Sequence, residues 1–318
     1  MRVVTPESVR YTRAMKFSQL KALVAVARDG SFSEAALELS QSQSSVSEAI
    51  ASLEGELGVR LLERGRFGAR PTSLGERVLE RAREVLSSIE AIEQDVALER
   101  GQVSGVVRIV TFRSVASQIL APLMVTLKQR FPLVQLQLEE SGITRVQVTE
   151  RLEEGSADVV FVTEANPALL GWVILHDPFC ALFPDDGRPL PEVVTFESLR
   201  EYPLVLSHDG DCGPRFEPHF REHGLALERA MRVREDETLI QMVAQGVGVG
   251  VLPRLAVEHA THIRKVPIFP SLERQISLQV RHGALRLPSV RAFMHLLAEQ
   301  FPKSGIPRWN ELELQHSP

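Results

Sequence analysis

The chain has 318 residues, of which 44% are hydrophobic and 24% charged, and its formal net charge is −5. This composition is that of an ordinary globular protein with room for two or three domains, and it excludes disordered and collagen-like classes. Cys180 and Cys212 are too few for a disulfide framework and suit a reducing, cytoplasmic location. No apolar run approaches the roughly 20 residues of a membrane helix, and the N-terminus lacks an apolar secretory segment.

The segment from Phe17 to Arg64 has apolar residues at helical spacing. The first helix is expected to turn one face inward: Phe17, Leu20, Leu23, Val24 and Ala27. Ser33 is expected to cap a short second helix, and Ser42 a third. The third helix has its own inward stripe: Val46, Ile50, Leu53 and Leu57. Two short helices, a tight turn and a longer helix with a polar outer face predict a helix-turn-helix domain over residues 15–73. Residues 1–14 are interpreted as an extension dispensable for the fold.

A basic segment follows the third helix. Between Arg60 and Arg70 the chain has four arginines and two glycines. Guanidinium groups match phosphate oxygens, so this segment is interpreted as a flexible wing that contacts DNA phosphates. Residues 1–72 contain ten Lys or Arg and eight Asp or Glu, a net charge of +2, which leaves −7 for the remainder. The asymmetry places the expected DNA surface in the N-terminal quarter of the chain.

A long helix is predicted from Thr72 or Ser73 to about Arg100, and residues 74–101 are assigned to it as a linker. Its apolar residues follow a heptad pattern: Val78, Ala82, Val85, Ile89, Ile92 and Val96. A helix of this length spans about 42 Å, which is too long to pack on one small domain. The simplest partner is the same helix of a second copy, so the seam predicts dimerisation.

Strand and helix patterns alternate beyond a linker at residues 101–105. They predict a βαβαβ unit with a parallel sheet up to Val162 and a second α/β unit after it, in which residues 180–183 form a strand. Residues 102–303 are assigned to this domain, and residues 304–318 to a tail. The predicted fold is therefore multidomain, with a winged helix-turn-helix, a long linker helix and an α/β domain.

Some twenty positions of the N-terminal segment resemble LysR-type transcriptional regulators. They lie within Leu23–Ala36, Leu39, Ser42–Ser47, Ile50, Leu53-Glu54, Leu57-Gly58 and Arg64. Landmarks of the family's effector domain are Ala121-Pro122-Leu123, Phe131-Pro132, Gly155 with Asp158, and the stretch from Gly246 to Pro253. The resemblance implies a homodimer or homotetramer that binds interrupted inverted repeats in double-stranded promoter DNA. It further implies a small-molecule effector and an influence on RNA polymerase recruitment.

By this resemblance, the third helix lies in the major groove. The expected DNA contacts are Ser33, Ser42, Gln43, Ser44, Ser45, Ser47, Glu48, Arg64, Arg66, Arg70 and Thr72. The chain departs from the family at Ser44, where proline is common, and at Glu48 and Ala49, where basic or amide residues are frequent. Glu48 would either repel a phosphate or accept a hydrogen bond from a cytosine amine. Affinity is therefore expected to depend on the arginines of the wing.

The C-terminal domain resembles the periplasmic-binding-protein fold, in which two crossing strands join two lobes. Lobe I is expected at about 105–163 and 268–303, and lobe II at about 164–267. Ligands of open α/β sheets bind beyond the carboxyl ends of strands. The expected effector contacts follow three such strands: Phe112, Arg113, Ser114, Thr163 and His208. An arginine beside a helix N-terminus suits an anion, so the effector is expected to be small and anionic.

Other interpretations are open at this point. The segment from His219 to His223 matches the H-x-x-E-H string of some zinc peptidases but lacks a third ligand, so a solvated helix face is simpler. His208 and Cys212, with Asp211 between them, are candidate metal ligands in a loop. The C-terminal lobes alone would fit a solute-binding protein, which the helix-turn-helix argues against. No catalytic set or metal ligand set is recognisable, so no enzyme, cofactor, metal or membrane partner is predicted.

Overall fold

The computed structural model describes residues 15–65, 68–140, 145–207, 213–225 and 227–308. The chain divides into two compact units, Met1–Val96 and Ala97–Pro318. Each unit has its own core. None of the helices within the described ranges combines the length and the apolar composition that a membrane span requires.

The N-terminal unit is a winged helix-turn-helix. Its elements are α1 (Phe17–Asp29), α2 (Phe32–Glu38), α3 (Gln43–Leu57), β1 (Leu62–Gly65), β2 (Gly68–Pro71) and α4 (Ser73–Glu99). The two strands form an antiparallel hairpin. Side chains with no exposed surface form the centre of the core: Leu23, Val26, Val46, Ile50, Leu53 and Leu61. The inward stripe predicted for α3 is confirmed over its first three positions.

Three local predictions are wrong at helix ends. Ser31, not Ser33, caps α2, because the Ser31 hydroxyl accepts a hydrogen bond from the Glu34 amide at 3.4 Å. Phe17 and Leu57 were expected to be buried, and both are exposed. Phe17 is the first residue of α1 and Leu57 the last of α3. The terminal turns of these helices extend beyond the elements that cover their centres.

The wing is an ordered hairpin over its described residues, rather than the flexible loop expected from its glycines. The Ala69 amide donates to the Gly30 carbonyl oxygen at 2.8 Å. At Gly68, whose φ is +117°, an added Cβ would lie 2.2 Å from that same oxygen. Gly68 therefore permits a close approach between β2 and the end of α1, and it holds the wing in place.

Thr72 precedes helix α4, and its hydroxyl accepts a hydrogen bond from the Gly75 amide in the first turn at 2.9 Å. The start of α4 packs into the core of the winged domain through Leu79 and Ala82, with Val78 at its edge. Ala82 is only 3% exposed, so its prediction as part of the dimer seam is corrected. It faces its own domain because that domain covers the first turns of the helix.

The C-terminal unit contains one twisted sheet of ten strands flanked by helices. Its strands are β3 (Ser104–Thr111), β4 (Leu133–Glu140), β5 (Val159–Val162), β6 (Gly171–Pro184), β7 (Val194–Thr195), β8 (Leu204–Ser207), β9 (Met231–Val233), β10 (Val249–Pro253), β11 (Ile263–Phe269) and β12 (Glu273–Val280). Its helices are α5 (Arg113–Val115), α6 (Ala121–Arg130), α7 (Arg145–Glu153), α8 (Gly213–Glu222), α9 (Asp236–Ala244) and α10 (Pro288–Gln300). A π-helical turn, Ala116–Leu120, makes α5 continuous with α6.

Two crossings divide this sheet into lobes. Strand β6 pairs with β12 through residues 171–178 and with β10 and β11 through residues 179–184. The second crossing lies between β11 and β12. Lobe I has the parallel order β4-β3-β5, and lobe II has the order β9-β8-β10. In each lobe the chain leaves the central strand first to one side and then to the other, which makes a topological switch point at its carboxyl end.

Candidate DNA interface and effector cleft

The first turn of α3 presents a group of hydroxyls. Ser42 caps the helix, because its Oγ accepts a hydrogen bond from the Ser45 amide at 3.1 Å. The same Oγ lies 2.8 Å from the Oγ atoms of both Ser44 and Ser45. These serines and Gln43 are exposed. With Val46 and Ile50 buried on the other side, α3 presents a hydrogen-bonding tip without charge.

The charge of α3 is negative, since the helix has three glutamates and no lysine or arginine. Glu54 accepts hydrogen bonds from two backbone amides at the start of the wing, at 2.7 and 3.0 Å. Glu56 accepts one from Gln19 of α1 at 3.1 Å. These two carboxylates are engaged within the domain, whereas Glu48 is exposed. A phosphate backbone next to α3 would therefore meet Glu48 and no basic side chain of this helix.

The predicted DNA contacts occupy different environments. Six of them are exposed in addition to Ser42: Ser33, Gln43, Ser44, Ser45, Glu48 and Arg70. Ser47 is half-buried, and the half-buried Thr72 donates its hydroxyl hydrogen to the Arg60 carbonyl at 3.1 Å. Arg64 belongs to β1, and Arg66 lies outside the described residues. Arg60, absent from the predicted set, is exposed at the base of the wing.

The second half of α4 has an apolar stripe that its own chain leaves uncovered. Val85, Ile92 and Val96 are 45%, 62% and 48% exposed. Ile89, between them in the heptad pattern, is partly buried. The predicted seam therefore divides into a start that packs within the winged domain and a later part that is available to a partner.

In the C-terminal unit, polar residues gather at the two switch points. Phe112, Arg113 and Ser114 follow the central strand of lobe I, and Thr163 follows β5. Ser207 ends the central strand of lobe II. His208, the remaining predicted effector contact, lies outside the described residues. Four of the five predicted effector residues thus belong to the lobe I edge.

A buried ion pair forms the floor between the lobes. Arg274 of β12 and Asp177 of β6 are register partners, 4% and 2% exposed, with Nε and Oδ2 at 2.8 Å. Arg274 also donates to the Ser114 hydroxyl at 2.8 Å, and Asp177 accepts from the Leu255 amide at 2.9 Å. The Phe112 ring lies 4.9 Å from the Arg274 guanidinium. The predicted effector residue Ser114 is therefore held by Arg274, which the sequence did not single out.

Burial raises the pKa of two groups in this unit. It raises the pKa of Asp236, at the start of α9, although a Ser207 hydrogen bond and the charge of Arg113 act against the rise. Burial also raises the pKa of the Cys180 thiol to about 12. Cys180 is thus protonated at neutral pH and is a poor nucleophile or metal ligand.

The histidine rings of the H-x-x-E-H string contact one another at a tilt. The ring centroids of His219 and His223 are 4.3 Å apart, and both rings contact Phe196. The Nδ1 of His223 donates to the His219 carbonyl at 2.9 Å. No group of three or more potential metal ligands occurs among the residues that the structure describes. Cys212 lies outside those residues, as do His208 and Asp211.

Comparisons with known proteins match both units. A family profile described as "Bacterial regulatory helix-turn-helix protein, lysR family" matches residues 17–76, and the profile "LysR substrate binding domain" matches residues 100–302. A "Probable HTH-type transcriptional regulator LrrA" from Synechococcus elongatus is 39% identical over 295 residues, or 91% of this chain and 98% of that protein. A "Probable hydrogen peroxide-inducible genes activator" from Streptomyces viridosporus is 30% identical over 285 residues, or 86% and 90% of the two chains.

Solved structures show the same fold. A full-length OxyR variant from Pseudomonas aeruginosa matches with a TM-score of 0.68 at 24% identity, over 92% of this chain and 97% of that one. The structure of full-length CbnR in complex with its target DNA matches with a TM-score of 0.56 at 22% identity, over 90% and 99%. These similarities give no support to a solute-binding protein.

Proposed function

Because the chain belongs to the LysR family of bacterial transcriptional regulators, we propose that it binds an interrupted inverted repeat in promoter DNA as a homodimer or homotetramer. A small molecule in the C-terminal unit changes this binding and the recruitment of RNA polymerase. The proposal includes no catalytic step, and it places the protein in the cytoplasm, where bacterial promoters lie. It divides the chain at residues 15–73, 74–101 and 102–303.

The observation that supports DNA binding is the exposed, polar first turn of α3, opposite the buried side chains of Val46, Ile50 and Leu53. Gln43 and the serines of its first turn offer donors and acceptors of the kind that base edges require. Phosphate binding is assigned to Arg64, Arg66 and Arg70 of the wing, because α3 has no basic side chain of its own. In this division, α3 determines the sequence preference and the wing supplies most of the affinity.

Fluorescence anisotropy with labelled DNA from upstream of the protein's own gene tests this division. The Arg66→Ala/Arg70→Ala variant should bind both that fragment and an unrelated duplex about tenfold more weakly. The slope of log affinity against log salt should fall in magnitude by about 2, as expected for two lost phosphate contacts.

The matched control is Arg229→Ala/Arg286→Ala, which removes the same charge from exposed positions of the C-terminal unit. It should bind both duplexes like the wild type. Wild-type affinity and salt dependence in the wing variant would contradict the assignment. Failure of the wild-type protein to bind any promoter fragment at low salt would contradict the proposed function itself.

The effector site is assigned to the cleft between the two switch points, with Phe112, Arg113, Ser114 and Thr163 on the side of lobe I. A binding site at this edge is supported by the general position of ligands in open α/β sheets. The side chain of Arg113 is about half exposed and can reach a ligand. The anionic character of the effector stays a prediction. Calorimetric titration with carboxylates, sulfate and phosphate esters tests it, and at least one of these anions is expected to bind. Binding of only neutral or cationic ligands would show that it is wrong.

A further inference from the structure

Arg113 forms an exposed ion pair that connects the two lobes. Its Nε donates to Oε1 of Glu140 at 3.2 Å, and its Nη2 pairs with Glu235. Glu140 ends β4 in lobe I, whereas Glu235 immediately precedes α9 in lobe II. The three side chains are 51%, 49% and 55% exposed. The Arg113–Glu235 pair is thus a solvent-accessible contact across the cleft.

The buried pair on the floor of the cleft has the opposite character. The side chains of Arg274 and Asp177 are each 3% exposed, and their further hydrogen bonds reach both lobes. Removing one partner of a buried ion pair is strongly unfavourable, whereas an exposed pair contributes little. The floor is therefore a lasting connection, and the Arg113–Glu235 pair is one that another group can displace.

An anionic group is the ligand chemistry that competes for Arg113. A guanidinium binds carboxylate or phosphate oxygens through two parallel hydrogen bonds, and Glu235 now supplies such a carboxylate. Asp236 stands beside Glu235 and, when ionised, would repel a second anion. The charges of Arg113 and Arg274 act on the same carboxyl. Because the Arg113–Glu235 pair is exposed, an incoming anion can replace Glu235 as the partner of Arg113.

We propose that Glu235 is an internal competitor of the effector: the effector's anionic group binds Arg113, releases Glu235 and so removes the exposed charge contact between the lobes. This inference rests on the proposed effector-responsive function and specifies how the cleft detects charge. Arg113 and Glu235 are then the residues that determine the charge specificity of the cleft.

Amide hydrogen exchange of the full-length chain tests the contact without any ligand. Glu235→Gln should raise the exchange rate about threefold in peptides from the start of α9 and from the junction of β3 and α5, since an exposed ion pair contributes little. The matched control is Glu237→Gln, because Glu237 contacts Gln241 within its own helix at 2.9 Å. The control should exchange like the wild type. Equal exchange in the two variants at these peptides overturns the proposal.

Small ions then test the competition, with succinate as the carboxylate source, inorganic phosphate as the phosphate source and putrescine as the cation. At equal ionic strength, one or both anions should raise exchange in the wild type as Glu235→Gln does. Neither should act on an Arg113→Ala variant. No response to either anion, or the same response to chloride or putrescine, overturns the proposal. A response to one anion alone identifies which source the cleft recognises.

Anisotropy measurements on the same wild-type preparation separate this inference from the proposed function. Wild-type protein that binds promoter DNA while Glu235→Gln leaves exchange unchanged contradicts the internal competitor alone. Wild-type protein that binds no promoter DNA contradicts the proposed function, whatever the exchange data show.

Discussion

At the scale of single residues, two glycines determine how closely the wing approaches the helices. Gly68 lies against the end of α1, and Gly75, in the first turn of α4, lies against the wing. A Cβ on Gly75 would be 2.0 Å from the Leu61 carbonyl oxygen, a distance that real Cβ atoms do not show. The carbonyl accepts a hydrogen bond from the Thr72 amide at 2.9 Å, so it is not free to move away. The wing can therefore lie this close to α4 only because residue 75 has no Cβ.

Gly75→Ala is expected to lower the free energy of unfolding by about 1–3 kcal/mol, the usual cost of overpacking. Gly55 is the matched control, because it lies in α3 with no atom within 4 Å of an added Cβ. Gly55→Ala should raise the free energy of unfolding by about 0.5–1 kcal/mol, since alanine favours a helix interior over glycine. Urea titrations of the full chain measure both changes. Equal effects of the two substitutions would show that the close contact at Gly75 does not affect the free energy of unfolding.

At the scale of elements, α3 differs from a basic DNA-binding helix because its net charge is negative. The carboxylates of Glu54 and Glu56 stabilise the domain through hydrogen bonds to the wing and to α1. Glu48 has no such role among the described contacts and is exposed near the hydroxyl-bearing first turn. It either opposes phosphates or accepts a hydrogen bond from a cytosine amine, and substitution separates these two roles.

Glu48→Gln is expected to raise affinity for any duplex about threefold, because one phosphate at about 6 Å in water repels a carboxylate by about 0.7 kcal/mol. Fluorescence anisotropy with promoter and unrelated DNA measures the change, and Glu228→Gln in the C-terminal unit is the control for net charge. An unchanged affinity for unrelated DNA, combined with weaker binding of the promoter fragment, would instead assign Glu48 to cytosine recognition.

At the scale of the whole molecule, we propose that α4 pairs with the same helix of a second copy of the chain. The helix has 27 residues, and its first part packs on the winged domain. The exposed stripe of Val85, Ile92 and Val96 continues the heptad pattern into the part that the domain does not cover. Such a stripe is buried when two of these helices pair.

Ile92→Glu is expected to convert the oligomer into a monomer of 35.4 kDa, because a charge in the seam of two paired helices loses its hydration. Analytical ultracentrifugation measures the mass, and binding to a fragment with both half-sites should weaken in parallel. Glu93→Gln, one position further on an exposed site, should leave the mass unchanged. An unaltered mass for Ile92→Glu would place the dimer contact elsewhere.

Local rules were sufficient to locate the helices of the N-terminal unit, although they failed at several helix ends. Helical spacing predicted the core positions of α3, and the Ser42 cap follows from the preference of hydroxyl side chains for helix starts. The alternating pattern likewise predicted most strands of the C-terminal unit. These features depend on residues a few positions apart, so the sequence pattern alone is enough to predict them.

Contacts between distant segments of the chain could not be predicted from the sequence pattern. Only residues 180–183 of β6 were predicted, because the rest of this strand crosses between lobes and lacks a regular apolar pattern. The pairing of Arg274 with Asp177 joins residues 97 positions apart, and that of Arg113 with Glu235 joins residues 122 positions apart. Ala82 fits the heptad seam in the sequence, yet the winged domain covers it. Periodicity identifies which face of a helix is apolar, but the packing partner of that face depends on where the folded chain brings its other segments.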